Sequence, residues 1–183
     1  MKKPFELGFA VGRFQTFHNG HKDMIDKALA VCSRFAVFIG SSQECGTEKN
    51  PFSYEIRAEF FRRIYGEKIS VFPLPDIGAG NNCAWGEYVL DTAIERLGSM
   101  PDLFVTGKEE RRAEWLSGEK GKNVTELVVP KTVDVSAARM RELFICDDHE
   151  TWKSYSDKRL WELYPVLRRI VLGCRGVTDT SSI

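Results

Sequence analysis

This chain of 183 residues carries no surplus of either charge, with 26 basic and 26 acidic side chains. A dedicated nucleic-acid binder would show a basic excess, so any anionic ligand must be held by local groups. No stretch approaches the roughly 20 apolar residues of a membrane span, and Glu6 and Arg13 interrupt the only apolar run near the amino terminus. Nothing here reads as a leader or an anchor. The five cysteines, at 32, 45, 83, 146 and 174, form no CxxC pair and no Cys/His cluster. Zinc sites and disulfide frameworks are thereby disfavoured. Reduced thiols predict a cytoplasmic protein. Repeats and low-complexity tracts are absent.

What is present is an alternation of short apolar runs and amphipathic segments. Leu7–Val11, Phe35–Ile39, Ile69–Phe72, Leu103–Thr106 and Glu126–Val129 read as five buried strands. Residues 20–33, 53–65 and 85–97 read as helices between them, and a fourth helix starts near Ser136 and runs to about Phe144. This predicts an α/β fold, a Rossmann-like doubly wound parallel five-stranded sheet. Residues 1–146 form the domain, and 147–183 form a C-terminal helical extension of it. In that extension Asp157–Leu172 reads as an amphipathic helix kinked by Pro165. His149 reads as ordinary surface. Doubly wound sheets bind ligands at the carboxyl ends of their strands, where strand order switches.

The first strand runs into Gly12-Arg13-Phe14-Gln15-Thr16-Phe17-His18-Asn19-Gly20-His21. Two of the three histidines thus lie three residues apart at the opening turn of a helix, where i and i+3 side chains project together. Gly20 between them permits close approach of an anion to the backbone. The unpaired N–H groups and dipole of the first turn favour negative charge. Imidazole donors could stabilise charge growing on a phosphoryl group. On spacing alone, two polar residues capping a helix account for the pattern equally well.

The decapeptide resembles the HxGH signature of the nucleotidyltransferase superfamily, in the GRFQPFHxGH form of nicotinamide-nucleotide adenylyltransferases of the archaeal and bifunctional bacterial type. The likeness continues in order. Gly40-Ser41-Ser42-Gln43, Asn50-Pro51-Phe52 and Glu55-Ile56-Arg57 are similar to GSAQ…NPF…ER. Pro75-Asp76-Ile77 with Trp85 and Val89 resembles PDI…W..YV, and Val135–Arg141 resembles the second signature, ISxTxxR. Any one of these matches is weak, but four in sequence, over residues 7–145, are specific. Two positions depart from the pattern: Thr16 replaces a proline, and Ala138 replaces a threonine whose hydroxyl would face phosphate.

The resemblance implies in-line attack of a mononucleotide 5′-phosphate on the α-phosphorus of ATP, giving NAD and pyrophosphate without a covalent enzyme intermediate. It implies His18, His21 and Arg141 as catalytic residues. Gly12, Arg13, Phe14, Gly20, Gly107, Ser136 and Arg139 join those three in binding ATP. Gln15, Arg57, Asp76 and Trp85 are implied to hold nicotinamide mononucleotide, with Trp85 stacking on the ring. Asn50 is expected to order its own loop. Mg²⁺ should arrive with ATP rather than in a protein cage, so no residue is expected as a metal ligand. No nucleic acid or membrane is expected as a partner, and a homo-oligomer could use the C-terminal helix. Two alternatives stay open: another phosphate acceptor (nicotinate mononucleotide, phosphopantetheine, FMN), and a module that senses ATP or NAD without turning it over.

Overall fold

The computed structural model describes residues 2–80, 82–107 and 111–176. Five strands form one parallel sheet: β1 (Phe5–Gly12), β2 (Cys32–Gly40), β3 (Ser70–Leu74), β4 (Leu103–Thr106) and β5 (Thr125–Val128). Their order is β3-β2-β1-β4-β5. The chain therefore winds outward from β1 to β3, returns to the centre and continues the other way, placing the topological switch between β1 and β4.

Helices α1 (Asn19–Val31), α2 (Tyr54–Tyr65), α4 (Ala137–Ile145), α5 (His149–Tyr155) and α6 (Tyr164–Gly173) cover one face, and α3 (Cys83–Leu97) lies on the other. Strand alternation builds the two layers. Ala10, Val37, Ile39 and Val105 pack with Met24, Ile25, Phe60 and Phe61. Phe9, Ala36, Phe38 and Phe104 pack with Val89, Leu90 and Ala93. The α3 layer is tight at Gly86, where a Cβ would fall 1.9 Å from the Trp115 carbonyl oxygen.

The five predicted strands and first four predicted helices are present, with ends shifted by at most three residues. The C-terminal region differs more. Helix α5, capped by the Asp148 carboxylate, was not expected; its seven residues are too few to show a period. Pro165 lies in the first turn of α6, where a missing N–H costs nothing, so it starts that helix rather than kinking a longer one. His149 is half-buried and stacks on Tyr164 at 4.1 Å between ring centroids, contrary to the surface role expected of it. Leu143, Phe144, Trp152, Leu160, Tyr164 and Leu167 join the α1/α2 core, which ties residues beyond 146 to the sheet.

Candidate active site

At the carboxyl end of β1 the backbone leaves the sheet through Arg13 and turns at Phe14, whose φ of 49° is left-handed. A bulky residue there is strained. Phe14 is nonetheless buried, its ring edge-on to Phe61 at 4.9 Å and to His21 at 4.9 Å. His18 then occupies the N-cap of α1, and its carbonyl accepts the N–H groups of His21 and Lys22 at 2.9 and 3.1 Å. The two imidazoles stack, with centroids 3.7 Å apart and planes 19° apart. Phe17 closes a third side of His21 at 5.7 Å. Gly20 makes room for this pair: a Cβ there would sit 3.1 Å from the His18 ring.

His18 is 7% exposed, and its buried Nδ1 has no hydrogen-bond partner in the protein. Burial first, and the positive charge of Lys131 second, bring its pKa from 6.5 down to about 4. The ring is therefore neutral at physiological pH, with one N–H to give and one lone pair to offer.

The second signature reaches the same place from 120 residues away. Val135 is buried, and its Cγ1 lies 3.8 Å from the position of a Gly20 Cβ. The Thr16 hydroxyl donates to the Ala137 carbonyl at 3.5 Å; proline, usual at that motif position, could not make that bond. Ser136 caps α4, its Oγ accepting the Arg139 N–H at 3.1 Å. Ala138 is exposed in the same turn and adds no hydroxyl to it.

Arg141 follows one turn later, half-buried, and its pKa is depressed by burial first and then by the charge of Arg13. The charge of the exposed Arg13 thus acts on a half-buried guanidinium, and an anion between them would offset both. A cleft of about 310 Å³ at the start of α4 is lined by Lys131, Asp134, Val135, Ser136, Arg139 and Tyr155. Lys131 had not been singled out in the sequence, because a lone lysine in a loop carries no periodicity or motif. It pairs with Asp134 at 2.7 Å, both side chains being largely exposed, so the pair is easily exchanged for a stronger anion. Arg139, paired with Glu142 at 3.3 Å, sits at the rim. Gly12 ends β1, and Gly107 follows β4 on the far side of the switch point, near the Met24 sulfur.

Three of the residues expected around the acceptor are placed otherwise. Arg57, expected to meet a phosphate, is fully buried in α2. Its Nε donates to Ser53 O (3.2 Å), Nη1 to Arg13 O (2.9 Å) and Gly40 O (2.8 Å), and Nη2 to Ser41 O (3.0 Å) and Glu44 O (3.5 Å). Its five donors are spent on main-chain carbonyls, so it clamps loops instead of binding substrate. Gln15, 3% exposed, exchanges a pair of hydrogen bonds with the backbone of Phe52, at 2.9 and 3.2 Å; it too joins the two loops. Trp85, implied by the resemblance to stack on the nicotinamide ring, is 7% exposed and packs against Tyr88 at 5.4 Å and Trp115 at 6.1 Å. The Asp76 side chain is exposed in the loop after β3, with its N–H donated to Gln43 Oε1 at 3.1 Å.

Asn50 does order its loop, accepting from Arg13 Nη1 at 3.4 Å, bonding Glu44, and donating its N–H to Thr47 Oγ1 at 3.0 Å. Among the described residues no group of three or more His, Cys, Asp or Glu could hold a metal ion. Nor is any helix among them long and apolar enough to cross a membrane.

Comparison with known proteins fits this geometry. The family model described as cytidylyltransferase-like matches residues 9–142. Nicotinamide-nucleotide adenylyltransferase of Thermococcus kodakarensis is 36% identical over 152 residues, covering 80% of this chain and 75% of that protein. The protein of the same name from Saccharolobus solfataricus is 36% identical over 88 residues, and there the match spans half of the relative. Among solved structures, a bifunctional NMN adenylyltransferase/ADP ribose pyrophosphatase from Francisella tularensis, complexed with AMP and a manganese ion, superposes with a TM-score of 0.73. The match has 18% identity and covers 94% of this chain but 52% of that one, so it speaks to the fold.

Proposed function

From the membership of this chain in the cytidylyltransferase-like nucleotidyltransferase family, among the nicotinamide-nucleotide adenylyltransferases, we propose that it joins ATP to nicotinamide mononucleotide, yielding NAD and pyrophosphate. The observation that carries the reading is the meeting of segments from opposite ends of the matched region, Val135 against Gly20 and Thr16 bonded to Ala137, beside a stacked pair of imidazoles.

The chemistry follows from what those groups can do. A 5′-phosphate oxygen of the mononucleotide attacks the α-phosphorus of ATP, and the bond to the oxygen bridging the α and β phosphorus atoms breaks in line. Pyrophosphate takes the electron pair, and no proton has to be removed from the nucleophile. Catalysis is then alignment and neutralisation of charge. Neutral His18 and its neighbour His21 donate to the α-phosphate as negative charge spreads over its oxygens. Arg13, Arg141 and Lys131 hold the outgoing phosphates, Arg141 as a planar fork. The open first turn of α4, capped by Ser136, adds N–H donors, with Arg139 at the rim. Gly12, Phe14, Gly20 and Gly107 let the nucleotide lie close to the backbone at the switch point.

A divalent cation brought with ATP, Mg²⁺ by preference, would supply further charge neutralisation on the leaving pyrophosphate, and none of the described residues forms a cage for it. The mononucleotide's base lies toward Asp76 and the start of α3. Five free thiols suit a cytoplasmic enzyme.

The test is pyrophosphate release on mixing the protein with Mg-ATP and nicotinamide mononucleotide, with the product identified by mass. Dinucleotide formation supports the assignment. Adenylylation of nicotinate mononucleotide or another phosphate in its place would keep the chemistry and move the substrate. No release with any acceptor would leave a binding module.

A further inference from the structure

Arg57 is fully buried, bonded to carbonyls from two loops and free to touch no ligand. Two of those carbonyls belong to peptide groups with an unusual feature in common. The peptide from Arg13 leads into Phe14, with φ of 49°, and the peptide from Gly40 leads into Ser41, with φ of 47°. Both are non-glycine residues in the left-handed region, and both sit just past the ends of neighbouring parallel strands, where Gly12 pairs with Ile39. Each such conformation is strained for a residue with a side chain and persists only when its surroundings hold it. Here a single guanidinium bonds the carbonyl that precedes each.

In a planar trans peptide the C=O and N–H point in opposite directions, and the described residues contain no cis bond. When Arg57 draws the Arg13 and Gly40 carbonyls inward toward α2, the N–H groups of Phe14 and Ser41 must point outward at the carboxyl edge of the sheet. The turn bonds of the region run from Ser42 N–H to Leu74 O and from Glu44 N–H to Ser41 O, and involve neither donor. Main-chain N–H groups turned out of the fold in this way offer donors to an anion.

We propose that Arg57 is a positioning residue that aims the N–H groups of Phe14 and Ser41 into the crevice as donors to a nucleotide phosphate. This rests on the polyphosphate reading of the crevice. A lysine cannot substitute: its ammonium is a compact point with three donors, whereas the planar fork spans carbonyls of Arg13, Gly40 and Ser41 at once.

The test uses the full ¹⁵N-labelled chain titrated with inorganic tripolyphosphate, following the Phe14 and Ser41 amide resonances. In the wild type both should move downfield and saturate together. In Arg57→Lys those shifts should vanish, tripolyphosphate affinity should fall at least about tenfold, and kcat for adenylyl transfer should fall by about a hundredfold, the scale of losing an oxyanion donor. A purely structural Arg57 would lower the melting temperature while the folded fraction kept both shifts and a normal kcat, and that outcome overturns the proposal. Wild-type amides that stay still while tripolyphosphate binds, or wild-type protein that binds none, overturn it without reference to the variant, so a variant that fails to fold does not shield it. Wild-type protein that shows the shifts yet releases no pyrophosphate would sink the adenylyltransferase assignment and leave the role of Arg57 standing.

Discussion

Acidifying the protein from pH 7 to pH 4 should remove about 3 kcal/mol of stability through His18 alone. In the folded chain this imidazole has its pKa near 4, against 6.5 when free, because it is 93% buried and faces the field of Lys131. Between those two values the unfolded chain takes up a proton that the folded chain refuses. Stability is therefore complete above pH 6.5, falls as the pH drops through the window, and is fully diminished below about 4. At about 1.4 kcal/mol per pH unit, the separation gives the figure above. Carboxylates whose pKa values are held down by partners, such as Asp23 and Asp157, also lose stability in acid, so the measurement must be a difference. Urea unfolding of wild type and His18→Asn at half-unit intervals from pH 7.5 to 4 isolates it. The gap between the two proteins should shrink by about 3 kcal/mol across the window. If the two curves run parallel, or if the His18 ring titrates near 6.5 by NMR, then the ring is solvated and the site is not the dry donor pair described here.

His21→Ala should leave the fold intact and lower kcat by about 10²- to 10³-fold; near-normal turnover measured by pyrophosphate release would contradict a phosphate role. Trp85→Ala should cost about 3–5 kcal/mol of stability by chemical denaturation, because Trp85 is packed within the α3 core, and Trp85→Phe should cost less. A large rise in KM for the mononucleotide in Trp85→Phe, with stability and KM for ATP unchanged, would show that the indole opens to meet the ring. Arg141→Ala should raise KM for ATP, and by removing the like charge it should make Arg13 easier to accommodate. A melting temperature at or above that of the wild type, together with weaker ATP binding, is the expected signature. Gly86→Ala should be strongly destabilising, since its methyl group would meet the Trp115 carbonyl at 1.9 Å; a melting temperature within two degrees of wild type would show that the 111–116 segment yields freely.

Local chemistry sufficed to read the alternating strands and helices, the glycine and histidine spacing at the end of β1, and the Ser136 cap, because each depends on residues within a turn or two of one another. The same locality explains why α5 and the place of Pro165 were missed: a seven-residue helix is too short for a period, and a proline in a first turn looks in sequence like a proline in a kink. Three side chains were legible in type but not in use. Arg57, Gln15 and Trp85 are suited to a phosphate, an amide and a ring, and nothing adjacent in the chain reveals that carbonyls from two loops, the Phe52 backbone and Trp115 have already taken them. Burial and saturation of donors are properties of contacts between distant segments, and a linear pattern contains none of them. For the same reason Lys131 passed unnoticed, although its charge acts on a ring 113 positions earlier. The sequence by itself determined which chemistry is on hand at the switch point. Only the folded arrangement decided which cationic side chains stay available to a ligand and which, like Arg57, are consumed in bonding the backbone.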